Sequence, residues 1–179
     1  MDVNITLLKE DELLEIQNLY RSVNVELGTN EIFLEGIIKS ELNDFDKVMN
    51  SNSKCFVAAV EGKIVGMVIA RANTCICSVN EEGKLIELER LAVVSHMRRL
   101  GIGRKLIETV AKESNAGPVR VPEGNSVVFE ERHRIHLTMI SGNSKAERFY
   151  EDTGFHKTLT EKRVSSRNGD KYTLIHYCR

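Results

Sequence analysis

The sequence predicts a mixed α/β domain, and three observations carry that reading. Apolar residues recur at helical spacing in four stretches, β-rich runs lie between them, and the order is strand, two helices, three strands, helix, strand, helix, two strands. Length sets the domain count: 179 residues suffice for one domain with a sizeable core, so residues 1–179 are expected to form a single domain. Its centre is expected to be one mixed, mostly antiparallel sheet with flanking helices.

Each element has a local reason. Ile5 to Leu8 reads as a short strand, and Asp11 starts a helix with Leu13, Leu14, Ile16, Leu19 and Tyr20 at helical spacing. A second helix follows Asn30, with Ile32, Phe33, Ile37, Ile38 and Leu42 on a similar stripe. CFVAAV and IVGMVIARA are apolar β-rich runs, and the Glu61-Gly62-Lys63 connection between them is a hairpin signal. In KLIELERLAVV, Leu85, Glu87, Glu89 and Leu91 alternate with Ile86, Leu88 and Arg90, which predicts a strand with two carboxylates on one face. A helix is expected from Arg104 to Glu113. Residues 114–131 contain both prolines and show no clear period, so they are expected to form a loop or a mobile insertion. HRIHLTMI is a further strand, NSKAERFYEDTG a helix that Gly154 can close, and FHKTLTEKRV and KYTLIHYC a final strand pair around SSRNGD.

Hydrophobic residues at 41% and charged residues at 28% fit a soluble globular protein rather than a disordered one. With a formal net charge of -1, the overall balance demands neither nucleic acid nor an anionic membrane, and no partner of either kind is expected. No apolar run approaches the roughly 18 to 20 residues of a membrane-crossing helix, and the start MDVNITLLKEDE lacks the order of a signal peptide, so the expected location is cytoplasmic. The cysteines, Cys55, Cys75, Cys77 and Cys178, lack the paired spacing of a zinc site, and Cys75 and Cys77 are expected to be buried as reduced thiols. His96, His133, His136, His156 and His176 are scattered over a loop and separate strands, read as solvated or packed imidazoles, and no metal is expected.

The segment HMRRLGIGRKLIETV sets two glycines one residue apart between arginines and a helical pattern. Ordered glycine costs backbone entropy, so such a pair at a helix start implies an unusual turn or the close approach of a ligand. Exposed N–H groups at a helix N-terminus attract anions, and Arg98, Arg99 and Arg104 add positive charge nearby, so a diphosphate explains the pair better than a structural turn. A Walker A loop is absent, and the dinucleotide fingerprint GxGxxG fails because position 106 is Leu106.

Arg98-x-x-Gly101-x-Gly103, preceded by LAVV and followed by Leu106-Ile107, resembles the acyl-CoA pyrophosphate loop of the GNAT superfamily of N-acyltransferases. The later run from Asn143 through Ala146, Phe149, Tyr150 and Gly154 to Phe155 resembles that superfamily's second signature. Two motifs in the right order make the resemblance specific, and it covers roughly residues 56–177. It implies the GNAT fold. It also implies a coenzyme A diphosphate held by backbone N–H groups of Arg98, Arg99, Leu100, Gly101, Ile102, Gly103 and Arg104. A pantetheine arm would run along the backbone of Leu91, Ala92 and Val93, where the strand splays from its neighbour, and Ala146 and Phe149 fall in the second cofactor motif. Asn143 matches a pantetheine contact, and a plain helix N-cap uses the same side chain. Tyr150 matches a tyrosine that protonates the departing thiolate, the alternative being that it only packs beside Phe149 and Phe155. Glu87 and Glu89 are the candidates for removing the acceptor's proton, or else they form surface salt bridges.

The expected activity is therefore N-acetyl transfer from acetyl-CoA to a primary amine, directly within a ternary complex. The competing reading is an acyl-CoA-binding regulatory module without turnover. The acceptor is not legible; its walls are expected around Val23 to Gly36 and Arg163 to Lys171, and a homodimer stays open. In place of the family's short connection, Ser114 to Glu131 intervenes as a lid, a partner-binding loop or an ordinary insertion.

Overall fold

The computed structural model describes residues 1–29, 31–73, 85–113, 119–123, 126–130, 134–164 and 170–179. Two compact units emerge, one made of Met1–Ala72 with Glu89–Ser114, the other of Asn73–Leu88 with Asn115–Arg179. The larger sheet has seven strands in the order β1-β2-β3-β4-β7-β9-β8, where β1 is Asn4–Leu7, β2 Ser53–Val60, β3 Lys63–Asn73, β4 Leu85–Val93, β7 Arg134–Ile140, β8 His156–Val164 and β9 Lys171–Cys178. Helices flank it, as the sequence predicts.

In the first unit, β2 and β3 form the expected hairpin, in register from Ser53↔Arg71 to Val60↔Lys63. Glu61 and Gly62 both have positive φ, 51° and 77°, the requirement of the two-residue turn whose twist matches the strands. Strand β2 is a continuous apolar run because both of its faces are covered: Cys55, Phe56, Val57 and Ala58 are all buried. Helix α1 (Leu13–Glu26) buries Ile16, Leu19, Tyr20 and Val23, one stripe at helical period. It packs with Leu34, Ile38 and Leu42 of the α2 (Glu31–Glu41) region onto Cys55, Val57, Met67 and Ile69. Polar bonds fix that layer: Gln17 donates to the Leu42 carbonyl at 2.7 Å, and the Ile64 N–H donates to Glu15 at 3.1 Å. A short helix α3 (Phe45–Val48), which the sequence reading did not separate, starts at Asp44, whose carboxylate accepts from the Asp46 N–H.

Helix α4 (Ile102–Glu113) buries Ile102, Leu106, Ile107 and Val110. It comes so close to β3 at Gly66 that an added Cβ would lie 3.2 Å from the Ala92 carbonyl oxygen and 3.3 Å from both Ile102 and Leu106. Here glycine is required by space, not by backbone conformation.

In the second unit, the start of β4 runs parallel to β7 from Leu85↔Arg134 to Glu87↔His136. Strand β9 is antiparallel to both β7 and β8, including the pairs His136↔Cys178 and Val164↔Lys171. Helix α5 (Ser144–Asp152) is closed at Gly154, φ 91°, as expected, and the Phe155 N–H returns to the Tyr150 carbonyl at 3.0 Å. Within the segment expected to be a loop, β5 (Val119–Glu123) and β6 (Ser126–Glu130) pair as an antiparallel ribbon. Pro122 hid it from the sequence reading, because proline argues against a central strand yet is compatible with a strand that has one partner.

These contacts make opposite predictions for two glycines. Gly66→Val should destabilise the protein by about 1–3 kcal/mol through overpacking against α4. Gly36→Ala, inside α2 with open space around it, should stabilise it by about 0.5–1 kcal/mol. Urea denaturation of both variants checks the pair; equal and opposite signs to these would refute the packing account.

Candidate functional site

The glycine segment is where β4 turns into α4. After Val93 the chain makes one 3-10 turn, Ser95–Met97, then Arg99 and Gly101 adopt left-handed φ of 65° and 81° before the helix begins at Ile102. Gly101 closes the first helical bond through its carbonyl to the Lys105 N–H at 3.0 Å, so it occupies the capping position with no side chain to cap the N–H groups that follow. Left-handed residues at alternate positions aim successive N–H groups into a common concavity, an anion-binding arrangement. Ile102, 1% exposed, anchors the turn, while Arg99, Leu100, Gly101 and Arg104 are exposed and Gly103 is half-buried. The left-handed Arg99 was not foreseen; a non-glycine residue there costs of order 1–3 kcal/mol and marks a constrained site.

Arg98 has a different place from the one expected. Its N–H donates to the Ser95 carbonyl at 3.2 Å, its Nε to the Val93 carbonyl at 2.8 Å, and its Nη2 to Glu26 at 3.2 Å. Ser95 Oγ donates to the other Glu26 oxygen at 3.0 Å. Arg98 thus braces the turn against α1, and it takes up the Val93 carbonyl, one of the backbone groups expected to run along a pantetheine arm. Leu91 is half-buried and Ala92 buried. Glu89 forms an ion pair with Arg71 at 3.1 Å, the salt-bridge alternative considered for it.

In the second unit, Asn143 caps α5: its Oδ1 accepts from the Ala146 N–H at 3.1 Å. Phe149, Phe155 and Tyr177 surround the Tyr150 ring at centroid distances of 5.2, 5.7 and 6.1 Å. Burial pushes the Tyr150 phenol up to about 12, so it holds its proton at neutral pH. Glu87 stands in register with His136. His136 Nε2 is 3.3 Å from His176 Nδ1, with the rings stacked, and Thr138 Oγ1 is 3.2 Å from that same nitrogen. Burial lowers the His136 pKa, opposed by the Glu87 charge. Sequence reasoning left these histidines scattered; only the strand register brings them together.

Cys55 is buried and its thiol is pushed up to about 12, which makes it a core side chain rather than a nucleophile. Cys75, Cys77 and His133 lie outside the described residues, as do parts of the expected acceptor rim at 30 and 165–169. Among the described residues, no group of three or more His, Cys, Asp or Glu side chains is placed to hold a metal, and no helix is long and apolar enough to cross a membrane.

A mixed seven-stranded sheet with a glycine turn opening a helix after its fourth strand is the arrangement of acyl-CoA N-acyltransferases. The acetyltransferase (GNAT) domain family matches residues 51–157, and the chain belongs to that family. The chain is similar to N-acetylaspartate synthetase of Xenopus tropicalis, 38% identical over 42% of this chain and 27% of that protein. Human N-acetylaspartate synthetase is 28% identical over 73% of this chain and 42% of its own length. The chain therefore spans less than half of these curated relatives. Among solved structures, Arabidopsis thaliana NAA60 in complex with a bisubstrate analogue superposes with a TM-score of 0.67 at 18% identity, covering 99% of this chain and 97% of that one. The same Arabidopsis protein has been solved in complex with acetyl-CoA.

Because Tyr150 binds its proton more tightly when folded than the unfolded value of 10.0, its contribution is fully present below pH 10 and is lost as pH rises toward 12. Tyr150→Phe should therefore lose less stability than the wild type between pH 10 and 11.5. Urea midpoints across that interval test this; parallel curves would show that burial does not hold the phenol neutral.

Proposed function

We propose that this protein transfers an acetyl group from acetyl-CoA to a primary amine, directly and within a ternary complex. The observation that carries the reading is the turn from Arg99 to Ile102: two left-handed residues and an uncapped helix start, followed by Arg104. N–H groups of Gly101, Ile102 and Gly103 are suited to a diphosphate, and the Arg98 side chain acts as a brace rather than a ligand. Family membership and the acetyl-CoA complex of a structural neighbour support the same donor.

In the reaction, the amine nitrogen bonds to the acetyl carbonyl carbon, the carbon–sulfur bond breaks, and the electron pair leaves on sulfur. The ammonium form must first lose a proton, and Glu87 and Glu89 are the carboxylates assigned to take it. Tyr150, neutral at physiological pH, is assigned to protonate the leaving thiolate. Asn143 can cap α5 through Oδ1 and still present its amide N–H groups to a pantetheine arm. Direct transfer needs no acyl-enzyme, and among the described residues Cys55, buried with a raised pKa, is a poor nucleophile for one. The aspartate in the name of the curated relatives supports a small amine-bearing acid as acceptor.

Acetyl-CoA should raise the melting temperature, since a ligand that binds only the folded state stabilises it by mass action. Gly101→Glu should remove that shift while the protein stays folded at 25 °C. A folded variant that still shows the full shift would refute the loop assignment.

Tyr150→Phe should lower kcat by about 10- to 1000-fold with acetyl-CoA binding little changed. Single-turnover measurements isolate the chemical step; an unchanged rate there removes Tyr150 from the mechanism.

A further inference from the structure

The first unit contains an open polar depression of about 400 Å³ lined by Ser40, Glu41, Lys47, Asn50, Asn52 and Arg71. Most of its polar groups are committed locally. Asn50 Oδ1 accepts from the Asn52 and Ser53 N–H groups, and its Nδ2 donates to the Asp46 and Lys47 carbonyls. Glu41 is neutralised by Arg90, whose Nη2 lies 2.6 Å away. The same guanidinium donates from Nη1 to the Glu89 carbonyl at 2.7 Å, which ties the end of α2 to β4 at the residue bearing the Glu89 carboxylate.

Arg71 is different. Its Nη1 sits 3.1 Å from Glu89 Oε1, its side chain is 44% exposed, and its Nε and Nη2 have no acceptor among the described residues. Guanidinium is a planar fork built for two parallel bonds to a carboxylate, and here its Nη1 is paired with Glu89 while Arg71 lines the depression. Lys47 adds a second positive charge to the same wall. A guanidinium and a carboxylate side by side present opposite charges a few ångströms apart. A free amino acid presents the reverse order, with its ammonium and carboxylate on one carbon.

We propose that Arg71 determines acceptor specificity by binding the carboxylate of a free amino acid whose ammonium group rests against Glu89. This rests on the N-acetyltransferase reading and names its substrate class and the residues that select it. It also accounts for the Arg71–Glu89 pair: with the substrate carboxylate on Arg71, the amine nitrogen lies beside the carboxylate assigned to accept its proton.

The test compares free L-amino acids, L-aspartate among them, with their α-carboxamides as acceptors, following thiol release from acetyl-CoA with wild type, Arg71→Gln and Arg71→Lys. The free acids should be preferred over the amides by about 10- to 100-fold in kcat/KM, the range for a charged hydrogen-bonded contact. Arg71→Gln should collapse that preference chiefly through KM for the acids, and Arg71→Lys should restore part of it. Equal use of acids and amides by the wild type overturns the proposal without recourse to a variant, and so does an unchanged preference in Arg71→Gln. If no amino acid is acetylated while acetyl-CoA still raises the melting temperature, the acceptor class is wrong and the donor site stands. If acetyl-CoA produces no shift either, both readings fall together.

Discussion

The turn that joins β4 to α4 is the constraint on which the rest of the first unit depends. A strand must end, reverse its hydrogen-bonding direction and open a helix within the few residues between Val93 and Ile102, and it does so with left-handed backbone at Arg99 and Gly101. Such a turn has unfavourable local energy, so it needs external bracing. Arg98 provides it by joining the Val93 carbonyl to Glu26 of α1, and Ile102 provides it from below by full burial. The close approach of α4 to Gly66 sets how deep the helix sits, and with it where the first N–H groups of the helix point. Packing, backbone strain and the proposed diphosphate site are thus three aspects of one arrangement.

Polar groups around that arrangement divide into braces and presenters. Arg98 and Asn50, and Arg90 through Nη1 and Nη2, donate to carbonyls and carboxylates of the protein itself. Arg71 and the start of α4 hold donors in reserve on an exposed surface. In the second unit, Tyr150 has an aromatic cage and a raised pKa, which keep its phenol protonated at neutral pH, as the proposed acid role requires.

The sequence made the helices and most strands legible because each has one buried face, as with Ile16, Leu19, Tyr20 and Val23 in α1. Gly101 and Gly154 announced a turn and a cap, and the structure has positive φ at both. What it concealed follows from three-dimensional proximity or from ambiguous punctuation. Arg71 and Glu89 are eighteen positions apart and meet only through the sheet, and His136 and His176 are neighbours only because β7 and β9 pair. Pro122 masked the β5–β6 ribbon. Nothing in the residue type told that Arg98 would be a brace and Arg99 a left-handed residue, since both are exposed-loop arginines in a one-dimensional reading.

The most direct measurement of the central claim is the backbone amide spectrum of the 15N-labelled protein during titration with coenzyme A. If the turn holds a diphosphate through its N–H groups, the amides of Gly101, Ile102 and Gly103 should show the largest downfield shifts, saturating together with binding measured by calorimetry. Saturable binding that leaves those three amides unmoved would contradict the account.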